Sequence, residues 1–215
     1  MFPILLVIVI LAVLYWFPVR RWFSRWGTTP DERTRVMAGD QVIINPTHVD
    51  TGAITINAPP EDIWPWLVQM GYQRGGLYSY DWLDRLFRFL DRPSANRILP
   101  EFQNLAVGDK IYFGREELTV AGLEPYRALV LSNKGHGIEW VWQFGLYPLD
   151  TNRTRLVERG TERFPKTLFG WVFRHVTEPA AFVMTRRFLL GVKQRAEALR
   201  ARPASETGEG PSAAA

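Results

Sequence analysis

From Phe2 to Val19 no residue is charged, and Ile4 to Leu14 is almost wholly Ile, Leu and Val. At 1.5 Å per helical residue this run reaches roughly 27 Å, the hydrocarbon thickness of a thin bilayer. Its apolar side chains together favour insertion by roughly 3 to 7 kcal/mol. Trp16, Trp22, Phe23 and Trp26 fall where an interfacial aromatic belt lies, and Arg20 and Arg21 are placed to reach headgroups. The pattern predicts a single transmembrane anchor over residues 1–22. A cleaved signal peptide is the competing reading, but no Lys or Arg precedes the apolar run and Phe17-Pro18-Val19-Arg20 offers no small-residue cleavage site. With Arg20, Arg21 and Arg25 all following the span, the positive-inside rule puts the rest of the chain in the cytoplasm.

Residues 23–50 read as an irregular linker, punctuated by Gly27, Pro30, Gly39 and Pro46 and alternating in charge. Thr51–Asn57 has the two-residue period of a strand, with Ile54 and Ile56 on one face. Pro59, Pro60, Glu61 and Asp62 then suit the first turn of a helix that runs to about Met70, kinks at Pro65 and stops at Gly71. A second helix follows, capped by Ser79 or Asp81, with Trp82, Leu83, Leu86, Phe87 and Leu90 as its apolar stripe.

Beyond a long connection the period changes to two. Lys110–Phe113, Glu116–Leu123, Ala128–Ser132, Ile138–Tyr147 and Thr154–Thr161 read as successive strands separated by turn residues. One of them carries Ile138, Trp140, Trp142, Phe144 and Leu146 on a single face, a bulk that demands a covering partner. The last helix, Thr177 to about Arg202, supplies it through Ala181, Met184, Phe188, Val192, Ala196 and Leu199. The tail from Pro203 to Ala215 is expected to be disordered.

Composition narrows the function classes. Apolar residues make up 47% and charged residues 22%, as in a globular domain rather than a disordered chain. Nine Trp and thirteen Phe suit a deep core or a greasy pocket. The absence of cysteine removes disulfides, thiolate metal sites and cysteine nucleophiles. The three histidines, His48, His136 and His175, have no second ligand at metal spacing, so no metal and no cofactor is expected. The net charge of +4 gathers after the N-terminal run and near the C-terminus; with no nucleic-acid motif to join it, attraction to anionic lipid is the simpler account.

The order strand, two helices, antiparallel strands, long helix, with the words that punctuate it, resembles the SRPBCC superfamily (START-like, Bet v 1-like, polyketide cyclase/dehydrase and lipid-transport proteins). Ile54-Thr-Ile-Asn-Ala-Pro-Pro-Glu-Asp-Ile-Trp64 looks like that superfamily's first strand and helix start. Pro65–Gly71, Arg74–Asp81, Ile98–Gln103, Val107–Asp109 and Thr154–Val157 look like a bacterial, membrane-anchored subgroup of unknown function. The resemblance spans residues 51–202 and implies an α+β helix-grip fold, in which a curved antiparallel sheet wraps a long C-terminal helix. It implies binding, lipid-carrier or cyclase activities without choosing among them.

A concave sheet and a convex helix leave space between them, and Trp140, Trp142, Met184 and Phe188 are placed to line it as a ligand pocket or simply to pack as core. Tyr78, Ser79, Tyr80 and Asp81 bring hydroxyls and a carboxylate to a helix start, where they cap it or reach a ligand. Alternation sets Glu158 opposite Arg155 and Arg159, and an inward Arg155 would need an acidic side chain or an anionic ligand. Gly191 in the last helix implies a close approach or plain tolerance.

Three functions follow. The first is a membrane-anchored module holding a hydrophobic small molecule or lipid, with Tyr78, Tyr80, Trp140, Trp142, Arg155, Met184 and Phe188 as binding residues. The second is a cyclase- or dehydrase-type enzyme using Tyr78, Tyr80 or Asp81. The third is a non-catalytic membrane scaffold for an unspecified protein partner, with a filled interior.

Overall fold

The computed structural model describes residues 2–135 and 137–201; the expected disordered tail from Pro203 and His136 lie outside them. The chain opens with helix α1 (Phe2–Leu14), a π-helical turn (Tyr15–Val19) and α2 (Arg20–Phe23), which follow one another without a break. Pro18 explains the wide turn, since its ring cannot fit an α-helical repeat and it donates no hydrogen bond. Among the described residues no helix is long and apolar enough to cross a membrane, which corrects the expected N-terminal transmembrane helix. At 13 residues α1 by itself is about 20 Å long, and the helical run lengthens only through the π-helical turn at Pro18 and the charged α2 with Arg20 and Arg21.

Six antiparallel strands form one sheet in the order β1-β6-β5-β4-β3-β2. They are β1 (His48–Ile56), β2 (Lys110–Phe113), β3 (Glu116–Glu124), β4 (Ala128–Gly135), β5 (Ile138–Asp150) and β6 (Arg153–Arg163). Alternation works as expected along β5: Trp142, Phe144 and Leu146 enter the main core, while Val141 faces the other side with Ile43 and Val130. Helices α4 (Pro60–Val68) and α6 (Leu168–Ala201) cover the inner face, burying Ile63, Trp66, Leu67, Phe188, Leu189 and Val192 against it. This is the helix-grip arrangement that the resemblance implied.

Residues 23–50 are not a loose linker. They form a strap over the edge and outer face of the sheet. Thr51 and Ala53 of the edge strand donate their backbone N–H to the Ser24 and Trp26 carbonyls, so the edge is not left open. Farther on, a capping box of Thr29 and Glu32 starts α3 (Pro30–Thr34). Met37 packs on Ala53 and Val157, and Ile43 on Val130 and Val141.

Two helices depart from expectation. The second, α5 (Asp81–Leu86), is short and has no side-chain cap: Ser79 donates instead to Asp84, and Asp81 accepts from Ser94 at 2.7 Å. Its supposed apolar stripe is largely on the surface, with Trp82, Leu86 and Phe87 exposed, because the helix ends before the stripe can wind inward. The last helix, α6, starts nine residues before Thr177 and carries His175 within it. Thr177, Glu178 and Pro179 look like a first turn, yet Pro179 sits mid-helix. The His175 carbonyl, which Pro179 cannot engage, accepts from the Tyr15 hydroxyl at 3.4 Å.

That contact belongs to a parallel pairing of the N-terminal segment with the first half of α6. Trp16 stacks on Trp171 and His175, Arg20 pairs with Glu178 at 2.9 Å, and Trp22 and Phe23 meet Phe182. Both helices keep large apolar faces exposed, among them Ile4, Leu5 and Val7 on α1 and Leu168, Trp171 and Val176 on α6.

Candidate functional site

The central hollow expected between sheet and helix is filled. Phe188 of α6 packs against Trp142, Phe144 and Tyr78 with ring centres 5.3 to 6.1 Å apart, and Trp66 closes the far side of Tyr78. Space remains at the end of the sheet that faces the N-terminal helices. There a cavity of about 80 Å³ lies among β1, β5, β6, α2 and α6.

Strand register builds its walls. On the inner face, Asp50 of β1 stands opposite Gly160 of β6, Gly52 opposite Glu158, and Trp142 of β5 opposite Gly160. Positions 48, 50, 158, 160 and 162 share that face by the two-residue period. The cavity is therefore lined by His48, Asp50, Glu158 and Glu162 from the two strands, by Trp140 and Trp142 from the third, and by Glu178 and Phe182 from α6. Gly160 makes room, since a Cβ there would come within 2.7 Å of the Asp50 carboxylate.

The electrostatics are unusual. Glu158 is 1% exposed; one carboxylate oxygen accepts from the Trp142 indole at 2.7 Å, and the other, Oε2, has no hydrogen-bond partner. Glu178 is bonded to Arg20 through one oxygen, while its Oε1 is likewise unpartnered. Burial, with repulsion from Glu178, pushes Asp50 up to about 7. Burial, with repulsion from Asp50 and Glu178, pushes Glu162 up to about 8. Glu158 is raised well above the usual carboxylate range by burial and then by Asp50. His48, 3.6 Å from both Asp50 and Glu178, is lowered chiefly by its burial. Carboxyl groups that titrate near neutrality can donate, accept or carry charge within the physiological range. Among the described residues no three His, Cys, Asp or Glu side chains are arranged to hold a metal ion.

Of the anticipated binding residues, Trp140 and Trp142 line this cavity, and Tyr78, Tyr80, Arg155, Met184 and Phe188 do not. Tyr78 is sealed in the core, and Phe188 beside it is packing rather than pocket. Tyr80 lies under Arg187, and Asp81 is spent on Ser94, so neither converges with Tyr78 on a common point as acid–base work requires. Arg155 points to the outer face, where it pairs with Glu32 at 2.6 Å and reaches Thr55 and the Gly27 carbonyl. Alternation along the strand set Glu158 apart from Arg155 and Arg159, and the signal beyond it was Glu162, a second acid on the same apolar face as Leu156.

A second, shallower groove of about 610 Å³ adjoins the first across His48 and is lined by Arg20, Arg21, Arg25 and Arg33.

No family model matches the chain, and comparison with curated proteins finds no match. Among solved structures it is similar to the Zhui aromatase/cyclase of a Streptomyces species at 18% identity over 73% of this chain and 97% of that one, with a TM-score of 0.45. It is similar to a protein of Mesorhizobium loti at 19% identity over 70% and 98%, TM-score 0.42. A point mutant of norcoclaurine synthase from Thalictrum flavum matches at 10% identity over 74% and 99%, TM-score 0.43. At such values nothing about this chain's chemistry is drawn from these likenesses.

Proposed function

We propose that the protein is a membrane-attached binding module that takes the polar head of a hydrophobic small molecule or lipid into the acid-lined cavity. The observation that carries this reading is Glu158 Oε2, a buried acceptor without a partner, set in a cavity walled by Trp140 and Trp142. A buried acceptor left unmade costs free energy that a ligand donor returns. The cavity has room only for a head group of a few heavy atoms, so the apolar remainder of the ligand lies along the exposed faces of α1 and α6.

Attachment to the bilayer rests on the same apolar faces together with the arginine-lined groove beside them, which suits anionic headgroups. The arginine-lined groove suits the anionic headgroups of the cytoplasmic leaflet, and a reporter fused after Ala215 that is active only outside the cytoplasm would count against attachment on that side.

Native mass spectrometry of the full-length protein tests the binding reading. The wild type is expected to carry or take up an apolar molecule, and Trp140→Ala to lose most of it. Finding none in either, with amphiphiles supplied, removes the proposal. A second reading, cyclase- or dehydrase-type catalysis, is favoured by one observation only: Asp50 and Glu162 are poised near pH 7 to 8 as an acid–base pair needs.

A further inference from the structure

We infer that the head group bound in this cavity is a protonated amine, an inference that rests on the binding-module reading and sharpens it. Four carboxylates converge on the cavity from three elements: Asp50 from β1, Glu158 and Glu162 from β6, and Glu178 from α6. Two of their oxygens, Glu158 Oε2 and Glu178 Oε1, are buried without a hydrogen-bond partner.

The protein's own cations do not answer them. Arg20 is committed to Glu178. Arg174 and Arg186 also line the cavity, each with its Nε buried and unpartnered, but Arg174 turns its terminal nitrogens to the Thr47 carbonyl and His175, Arg186 lies over the Trp26 ring, and neither forms an ion pair with the four acids. His48 reaches Asp50 and Glu178 at 3.6 Å, but burial disfavours its charged form. Among the described residues Glu158 and Glu162 therefore have no cationic side chain at ion-pair distance.

An ammonium group fits what is missing. It brings three donors and no acceptor, so it satisfies orphaned oxygens that a hydroxyl meets with one donor alone. It also relieves the mutual repulsion of the four acids, which a neutral ligand leaves in place. The stacked Trp140 and Trp142 rings, 5.8 Å apart, offer the aromatic wall against which a desolvated cation is held. The small volume selects a primary or lightly substituted amine at the end of an apolar chain. Binding such a cation draws protons off the carboxyls, so amine uptake near neutral pH is accompanied by proton release.

The test compares hexylamine, hexan-1-ol and hexanoate on the full-length protein at pH 7. Tryptophan fluorescence gives the affinities, and titration calorimetry in buffers of different ionisation enthalpy gives the proton count. Hexylamine is expected to bind at least about ten-fold tighter than hexan-1-ol, the effect of one relieved pKa unit, and to release protons. Glu158→Gln is expected to lose about ten-fold in amine affinity and with it most of the preference for hexylamine over hexan-1-ol; Glu162→Gln serves as the second variant should the first fold poorly. Hexan-1-ol or hexanoate binding as tightly as the amine, or amine binding without proton release, overturns the amine assignment and leaves the binding module standing. If none of the three binds, the module reading fails with it.

Discussion

At the scale of single residues the molecule is set by close approaches that only a small side chain permits. Gly191 costs its helix roughly 1 kcal/mol relative to alanine in propensity. It is kept because a Cβ at that position would fall 2.1 Å from the Tyr78 carbonyl oxygen, backbone that cannot swing aside as a side chain can. Tyr78 is itself held at a φ of 53°, so the loop that meets α6 here has little freedom to retreat. Gly191→Ala is therefore expected to destabilise the fold by about 1–3 kcal/mol despite the better helix former, the usual cost of overpacking. The thermal midpoint should drop several degrees, since a chain of this size loses roughly 2–4 °C per kcal/mol. An unchanged or raised midpoint shows that the loop yields and that the glycine is merely tolerated. The close approach binds α6 to the α4–α5 connection and so fixes where Phe188 enters the core.

At the scale of elements, the strap over the outer face turns on Arg159. The side chain is almost fully buried and donates to the Glu32 carbonyl at 2.9 Å, the Arg35 carbonyl at 2.9 Å, Thr51 at 3.2 Å and Asp40 at 2.7 Å. Gln143 adds a second pin, accepting from Gly39 and donating to Asp40. Arg159→Ala takes a buried donor from several carbonyls and the cation from Asp40, which keeps only the Met37 N–H and Gln143, and is expected to cost about 3 kcal/mol. Amide hydrogen exchange between residues 30 and 43 should quicken before that of β4 and β5. Arg159→Lys should rescue little, because a single ammonium cannot reproduce the planar fork. If exchange in the strap stays as slow as in the sheet, the pinning role is wrong.

The same strap shows why sequence reading reached the sheet and missed what covers it. Strands announce themselves by a local two-residue period, and all six were legible to within a few residues, as was the inward face of β5. The strap has no period. Its order comes from arginines more than a hundred positions away, and no window along the chain can display that. The candidate site failed for a related reason: Trp140 and Trp142 were legible from the alternation of one strand, but Asp50, Glu158 and Glu178 meet only through strand register and the docking of α6. Pro179 hid the first turns of α6 by imitating a helix start.

For the whole molecule, the cavity acids make stability depend on pH in a direction opposite to that of ordinary ion-paired carboxylates. Folded, Asp50 keeps its proton up to about 7 and Glu162 up to about 8; unfolded, both release it near the usual value of about 4. Between these values the folded chain binds more protons than the unfolded one, so raising the pH weakens the fold through that window. His48 works in the other direction, but its value is lowered by burial, and above its ordinary 6.5 neither state holds the proton. Glu32 resists burial through Arg155 and Thr29 and is drawn below its ordinary 4.5, so it matters only in acid. Between pH 6.5 and 8.5 the cavity term stands alone among these groups, and the thermal midpoint is expected to fall by a few degrees. Glu162→Gln should flatten that fall and melt higher than the wild type at pH 8.5, whereas at pH 5, where Glu162 is protonated in the fold, the two should differ little. A midpoint that is level or rises over this range, with no difference in the variant, means that the acids are solvated and ionise in the fold as they do in the unfolded chain. Hexylamine at saturation should cancel much of the alkaline loss, because the ionised acids then face a cation in place of one another.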